Sequence, residues 1–336
     1  MSEPQRATFP GLIDLASSTL GGRALATSDD FFAGMDNLLK PEPAIFLPDE
    51  YTERGKWMDG WESRRKRTEG YDWCVIALGA PGRIRGLDID TAHFLGNHPP
   101  YASLEAAHVG EGQSWEDADW TEVLVQSPLR PGSQNLFAVH TDQVVTHVRL
   151  NIFPDGGVAR LRVFGDVEPS WVREVDETAA AHVRGDEVDL VSVRNGGLAL
   201  ACSDSFFGPM NNLIAPNRAA NMGGGWESRR RRGPGHDWIL LRLGAPGEIG
   251  LVEIDTNHFK GNFPDRCMLE GVNLPGARIT DLIEAQWTEV LGPTKLAAHE
   301  RKFVRELGAR GPFTHLRFSI YPDGGVSRLR CWGKRT

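Results

Sequence analysis

Apolar and polar positions alternate over short stretches of this chain. In 146–153, Val148, Leu150 and Ile152 alternate with His147, Arg149 and Asn151; in 315–321, Leu316, Phe318 and Ile320 alternate with His315, Arg317 and Ser319. A period of two with one apolar face predicts half-buried strands. Further strands are predicted at 74–78, 84–90, 239–243 and 249–255. Pro154-Asp155-Gly156-Gly157 and Pro322 to Gly325 follow the first two strands. Both read as hairpin turns, because Asp-Gly tolerates the positive φ that such turns need. Short strands spaced by Gly/Pro turns, with few helical stretches, predict an all-β fold of antiparallel sandwiches, jelly-roll-like and in tandem.

The tandem arrangement follows from an internal repeat. DLASSTLGGRALATSDDFFAGMDN at 14–37 is echoed by DLVSVRNGGLALACSDSFFGPMNN at 189–212. GWESRR recurs at 60–65 and 225–230, DTxHFxGN at 90–97 and 255–262, WTEVL at 120–124 and 287–291, and PDGG…RLR at 154–162 and 322–330. A repeat this long marks two copies of one domain, not a short-period solenoid. We expect a first domain over 1–165, a charged linker over 166–186 with a short helix around Val172 to Ala181, and a second domain over 187–336. The copies align at an offset of 175 up to Asn37/Asn212 and of 165 by Gly60/Gly225. The first therefore carries ten extra residues within LLKPEPAIFLPDEYTERGKWMD, expected as a surface loop.

Bulk properties narrow the function classes. A chain of 336 residues fits two domains, each with its own core. The net charge of −8 argues against nucleic acid as a partner. The N-terminus MSEPQRAT is polar and unlike a secretory signal, and no apolar run reaches membrane-spanning length. No membrane association and an intracellular location are expected. Cys74, Cys202, Cys267 and Cys331 have no cysteine at the matching place in the other copy, which reads as reduced packing residues, not a disulfide or zinc framework.

Polar residues kept in both copies are the candidates for chemistry. Glu62 and Glu227 stand beside Arg64-Arg65 and Arg229-Arg230. In a strand, Glu62 and Arg64 would share a face and Arg65 would point away. The structural alternative is a surface ion pair; the functional one is an arginine fork on an anionic substrate. Asp90 and Asp255 end apolar strands and lead to His93 and His258, then Asn97 and Asn262. Loop residues past a strand end are well placed for binding, and histidine moves protons near neutral pH. The alternative is a loop tied by its own Asp and Asn hydrogen bonds. No HExxH or CxxC spacing indicates metal, although a divalent ion stays open. Ser28-Asp29 and Ser203-Asp204 read as turn caps, and Asp155 and Asp323 as turn residues without a catalytic role. Trp61 and Trp226 read as packing residues, and Arg160, Arg162, Arg328 and Arg330 as residues able to line a site. GxSxG, P-loop and GxGxxG signatures are absent.

The ordered set SDxFF…N, GWESRR followed by Asp72-Trp73 or Asp237-Trp238, DTxHFxGN and PDGG…RLR resembles the allantoicase family over nearly the whole chain, twice. The resemblance implies paired jelly-roll domains of the galactose-binding type. It also implies hydrolysis of allantoate to ureidoglycolate and urea in purine (ureide) degradation, a cytoplasmic location and self-association. No cofactor is firmly implied. On that likeness, Glu62, His93, Glu227 and His258 are the expected acid/base residues. Arg64, Arg65, Asp90 and Asn97, with Arg229, Arg230, Asp255 and Asn262, are the expected substrate-binding residues. Asp59 faces Gly224 and His98 faces Phe263, so the copies need not be equally active. The competing class is a non-catalytic tandem binding module. Such a module usually offers exposed aromatic platforms, whereas the set retained here is polar.

Overall fold

The computed structural model describes residue 9 and residues 11–171 and 173–336; MSEPQRAT, Pro10 and Val172 lie outside them. The chain divides into two compact units between Glu168 and Pro169. Each is built around an eight-stranded antiparallel sheet with the same strand order. The helix in the stretch between the repeats is Glu177–Ala180, and its Ala179 packs with Val183, Leu251 and Trp332 of the second unit.

One strand organises each unit. The segments predicted at 74–78 and 84–90 are a single strand, Asp72–Asp90, nineteen residues long. Its first part pairs with Arg23–Thr27 on one side and Val145–Phe153 on the other. Its second part lies between Arg160–Val167 and Leu136–Ala138. The strand thus serves both layers of a jelly-roll sandwich. Asp237–Asp255 does the same in the second unit. The alternation read from 146–153 buries Val148, Leu150 and Ile152 completely, against Ile76, Leu87, Leu104 and Trp61. Each large apolar side chain so buried contributes about 1.5–3 kcal/mol.

The PDGG segments are corners and not hairpins, which corrects the sequence expectation. Gly157–Val158 pairs with Trp61–Glu62, and Arg160–Val167 pairs with the long strand, so the chain leaves Val145–Phe153 instead of folding back on it. In each, only the first glycine takes a positive φ, Gly156 at 142° and Gly324 at 135°. A Cβ on Gly156 would meet Pro99 N at 2.6 Å and Asn97 O at 2.7 Å. The corner is therefore pressed against the DTxHFxGN loop.

Gly156→Ala combines a left-handed φ with a backbone clash. We expect a loss of about 2–5 kcal/mol, read by thermal or urea unfolding. A loss below about 0.5 kcal/mol, the range of an ordinary surface substitution, would contradict the packing described.

Candidate active site

Three of the repeated motifs converge on one buried ring. Phe94 of DTxHFxGN is fully buried. A Cβ on Gly60 would lie 2.7 Å from that ring, and one on Gly157 would lie 2.0 Å from it. Glycine at both places lets GWESRR and PDGG close over the ring. Asn97 O accepts from Gly157 N–H at 2.7 Å. Phe259, Gly225 and Gly325 repeat the arrangement in the second unit, with Asn262 O accepting from Gly325 N–H at 2.8 Å.

This clasp brings Glu62 and Asn97 together. Asn97 Nδ2 donates to Glu62 Oε1 at 2.7 Å, and Asn262 Nδ2 donates to Glu227 Oε1 at 2.5 Å. Glu62 is half-buried between two adjoining hollows. One, of about 560 Å³, is lined by Arg65, Lys66, Asn97, His98 and Asp155. The other, of about 360 Å³, is lined by His93, Phe46, Lys56 and Met58. Phe46 and Lys56 belong to the first copy's extra residues, which carry the short hairpin Tyr51–Thr52/Gly55–Lys56 and form a wall of the hollow.

The arginines separate. The strand stops at Glu62, so the period-two argument fails one residue later. Arg64 turns to Asp29, with Nε to Oδ2 at 2.7 Å, and lies over the Phe31 ring. Arg229 does the same with Asp204 and Phe206. Arg65, not Arg64, shares the hollow with Glu62, and its guanidinium has no hydrogen bond or ion pair among the described residues. Arg230 is likewise without one. Asp29 Oδ1 also accepts from Phe31 N–H, so the turn-capping reading of Ser28-Asp29 agrees with the structure.

The remaining candidates are placed as follows. Asp90 and Asp255 are buried and fold back on their own loop, accepting from Ala92 N–H at 2.9 Å and Asn257 N–H at 2.8 Å. Asp255 also takes Arg218, Nε to Oδ2 at 2.8 Å. Asp90 is not among the residues lining the two Glu62 hollows, and Asp255 lines a different cavity. His93 and His258 adopt positive φ, 70° and 71°, and bond through Nε2 to Ala44 O and Ala219 O. His98 was marked in the sequence only as a difference between the copies. It lines the larger hollow, and its buried Nδ1 has no partner among the described residues. Asp155, set aside as a turn residue, also lines this hollow while its Oδ2 accepts from Lys66 N–H. Only the path of the chain brings those two in; no spacing announces them.

Burial raises the Glu62 carboxyl above its ordinary range, and the Asn97 hydrogen bond offsets this only in part. A raised carboxyl holds its proton toward neutral pH and can act as an acid. Burial also pushes all four cysteine thiols up, which leaves them inert packing groups. Among the described residues no three His, Cys, Asp or Glu side chains gather into a metal-ligand cluster.

A folded-state pKa above the unfolded one favours the fold at low pH. That contribution is lost as pH rises from the ordinary glutamate value, about 4.3, through the raised one. Glu62→Gln removes this dependence. The melting temperature of the variant relative to the native protein should therefore increase from acid to neutral pH. A difference that is flat or decreasing would contradict a desolvated carboxyl.

Comparison with known proteins gives the family. The family model described as "Allantoicase repeat" matches residues 13–168 and 188–336. "Probable allantoicase 1" of Burkholderia mallei is 47% identical, covering 99% of this chain and 98% of its own. "Probable allantoicase" of Photobacterium profundum is 48% identical, covering 97% of each. The crystal structure of allantoicase from Saccharomyces cerevisiae superposes with a TM-score of 0.80 at 35% identity, over 96% of this chain and 93% of that one. Two matches to the repeat model, together with near-full-length identity approaching one half, place this chain in the allantoicase family.

Proposed function

We propose that the protein is an enzyme that hydrolyses allantoate to ureidoglycolate and urea, and that the Glu62 hollow of the first repeat carries the reaction. The observation that supports this most is the grouping in one cavity of a carboxyl with raised pKa, an unpartnered arginine and an unpartnered histidine nitrogen.

The substrate is a small carboxylate whose central carbon bears two ureido groups. Arg65 is free to take the carboxylate, with Lys66 adding positive charge while bonded to Asp72. The carbon–nitrogen bond to one ureido group breaks. Its nitrogen receives the Glu62 proton and leaves as urea, and a water hydroxyl takes its place on carbon. His98 accepts the proton that this water gives up, and the proton returns to Glu62 for the next cycle. Asn97 fixes the Glu62 carboxyl, and His93 holds the wall of the second hollow through Ala44 O. In the second repeat Asn262 holds Glu227 as Asn97 holds Glu62, but Phe263 replaces His98. His258 and Asp255 shape the loop there, as Asp90 does in the first repeat. Arg64 and Arg229 position the motif through Asp29 and Asp204.

The boundaries 1–165 and 187–336, with 166–186 between them, are kept for the repeats. Four free cysteines, three of them buried, suit a reducing cytoplasm. No described helix is long and apolar enough to cross a membrane. Self-association belongs to this reading through the family likeness.

Purified protein should release urea from allantoate, measured by a coupled urea assay; folded protein that releases none with divalent ions supplied would overturn the reading. His98→Phe, which copies the second repeat, should lower kcat about 10²–10⁴-fold, the usual share of a proton-transfer group, with little change in melting temperature. Full activity would remove His98 from the mechanism.

A further inference from the structure

The second repeat holds another charged cavity, of about 440 Å³, lined by Arg328 and not by Glu227. In the first repeat the matching Arg160 has a carboxylate partner. Its Nη1 donates to Asp59 O at 2.9 Å and its Nη2 to Asp59 Oδ2 at 2.7 Å. Lys40 completes that cluster, 2.9 Å from Asp59 Oδ1. The second repeat has lost both partners together: Asp59 is matched by Gly224 and Lys40 by Ala215. Arg328 keeps the backbone half of the arrangement, with Nη1 donating to Gly224 O at 2.6 Å and Nε to Asn217 O at 2.8 Å. Its Nη2 has only Pro216 O, at 3.5 Å.

No carboxylate lies within ion-pair distance of Arg328 among the described residues, although the arginine is 4% exposed. The cavity's carboxylates are already taken by other arginines. Asp255 pairs with Arg218, Asp189 with Arg330, and Asp176 and Glu253 both with Arg301. Glu174 pairs with Arg194. A buried guanidinium held only by carbonyl oxygens is costly to keep charged. Burial, with Arg330 beside it, pulls its pKa down to about 9 in spite of Asp255. On the same wall Asn195, 2% exposed, has an Oδ1 without a hydrogen-bond partner among the described residues. The lining's five carboxylates and five arginines balance in charge, because Arg301 holds two of the carboxylates; what the cavity presents is a guanidinium with no carboxylate in direct contact and an acceptor without a donor.

We infer that this cavity is a second ligand site, separate from the Glu62 hollow. Its ligand is a small carboxylate that also carries an amide or ureido N–H. The carboxylate replaces the lost Asp59 at Arg328 Nη2, and the N–H donates to Asn195 Oδ1.

The test is calorimetric titration of the full chain with ureidoacetate, which has both groups, and with acetate, which lacks the N–H donor. It is run on an Arg65→Ala/Arg230→Ala background, which removes the free arginine beside each motif glutamate. We expect ureidoacetate to bind and acetate to bind at least tenfold more weakly. Gly224→Asp should weaken ureidoacetate at least tenfold by restoring the internal partner. A Cβ at position 224 meets nothing nearer than Ala219 Cβ at 3.0 Å, so this variant keeps the fold with a small local shift. Arg328→Met should abolish binding, and Asn195→Leu should erase the preference over acetate. Unchanged affinity in Gly224→Asp, or no binding on the Arg65→Ala/Arg230→Ala background, would overturn the inference. Neither outcome bears on urea release.

Discussion

The contact on which the rest of each unit depends is the packing of Phe94, and of Phe259 in the second copy, against glycines that cannot be anything larger. Gly60 and Gly157 approach the Phe94 ring so closely that a methyl group at either would overlap it. The ring thereby joins the end of the long strand, the short Trp61–Glu62 strand and the corner after Val145–Phe153. Dense packing of this kind transmits position with little slack. It is what sets Glu62 opposite Asn97 in one copy and Glu227 opposite Asn262 in the other. Trp61, Phe94 and Gly157, which the copies share in kind, are the frame of the site.

The strands were legible because alternation is a local property. Val148, Leu150 and Ile152 announce a buried face, and the structure buries them. The long strand was read as two because Gly79, Pro81 and Gly82 look like punctuation. They are instead where one strand passes from one set of partners to the other. The site was less legible because its members meet through the chain's path. Arg64 and Arg65 are neighbours with the same chemistry. Only the end of the strand at Glu62 sends one to Asp29 and the other into the hollow. Asp90 was read as a ligand because it ends a strand, yet the same position lets its carboxylate cap its own turn, the alternative that the loop's composition offered. His98 carried no repeated signal, and the repeat of Asp155 as Asp323 read only as turn chemistry.

The differences between the copies carry more information about function than the likenesses. The first copy adds a hairpin that walls the Glu62 hollow and places His98 where the second has Phe263. The second gives up Asp59 and Lys40 and keeps the arginine that they served. A duplicated frame has thus diverged by removing and adding single charges while its packing stays fixed. Chemistry in the first unit and anion recognition in the second is the division of labour that these changes support.

The central claim is that the first repeat is the catalytic one, and the most direct measurement is urea release by Glu62→Gln set beside Glu227→Gln. Both substitutions keep the bond to the neighbouring asparagine and the size of the side chain, so folding is not in question. The account predicts that Glu62→Gln loses about 10²–10⁴-fold in kcat while Glu227→Gln stays within a few-fold of the native enzyme. Equal losses, or a larger loss from Glu227→Gln, would contradict it.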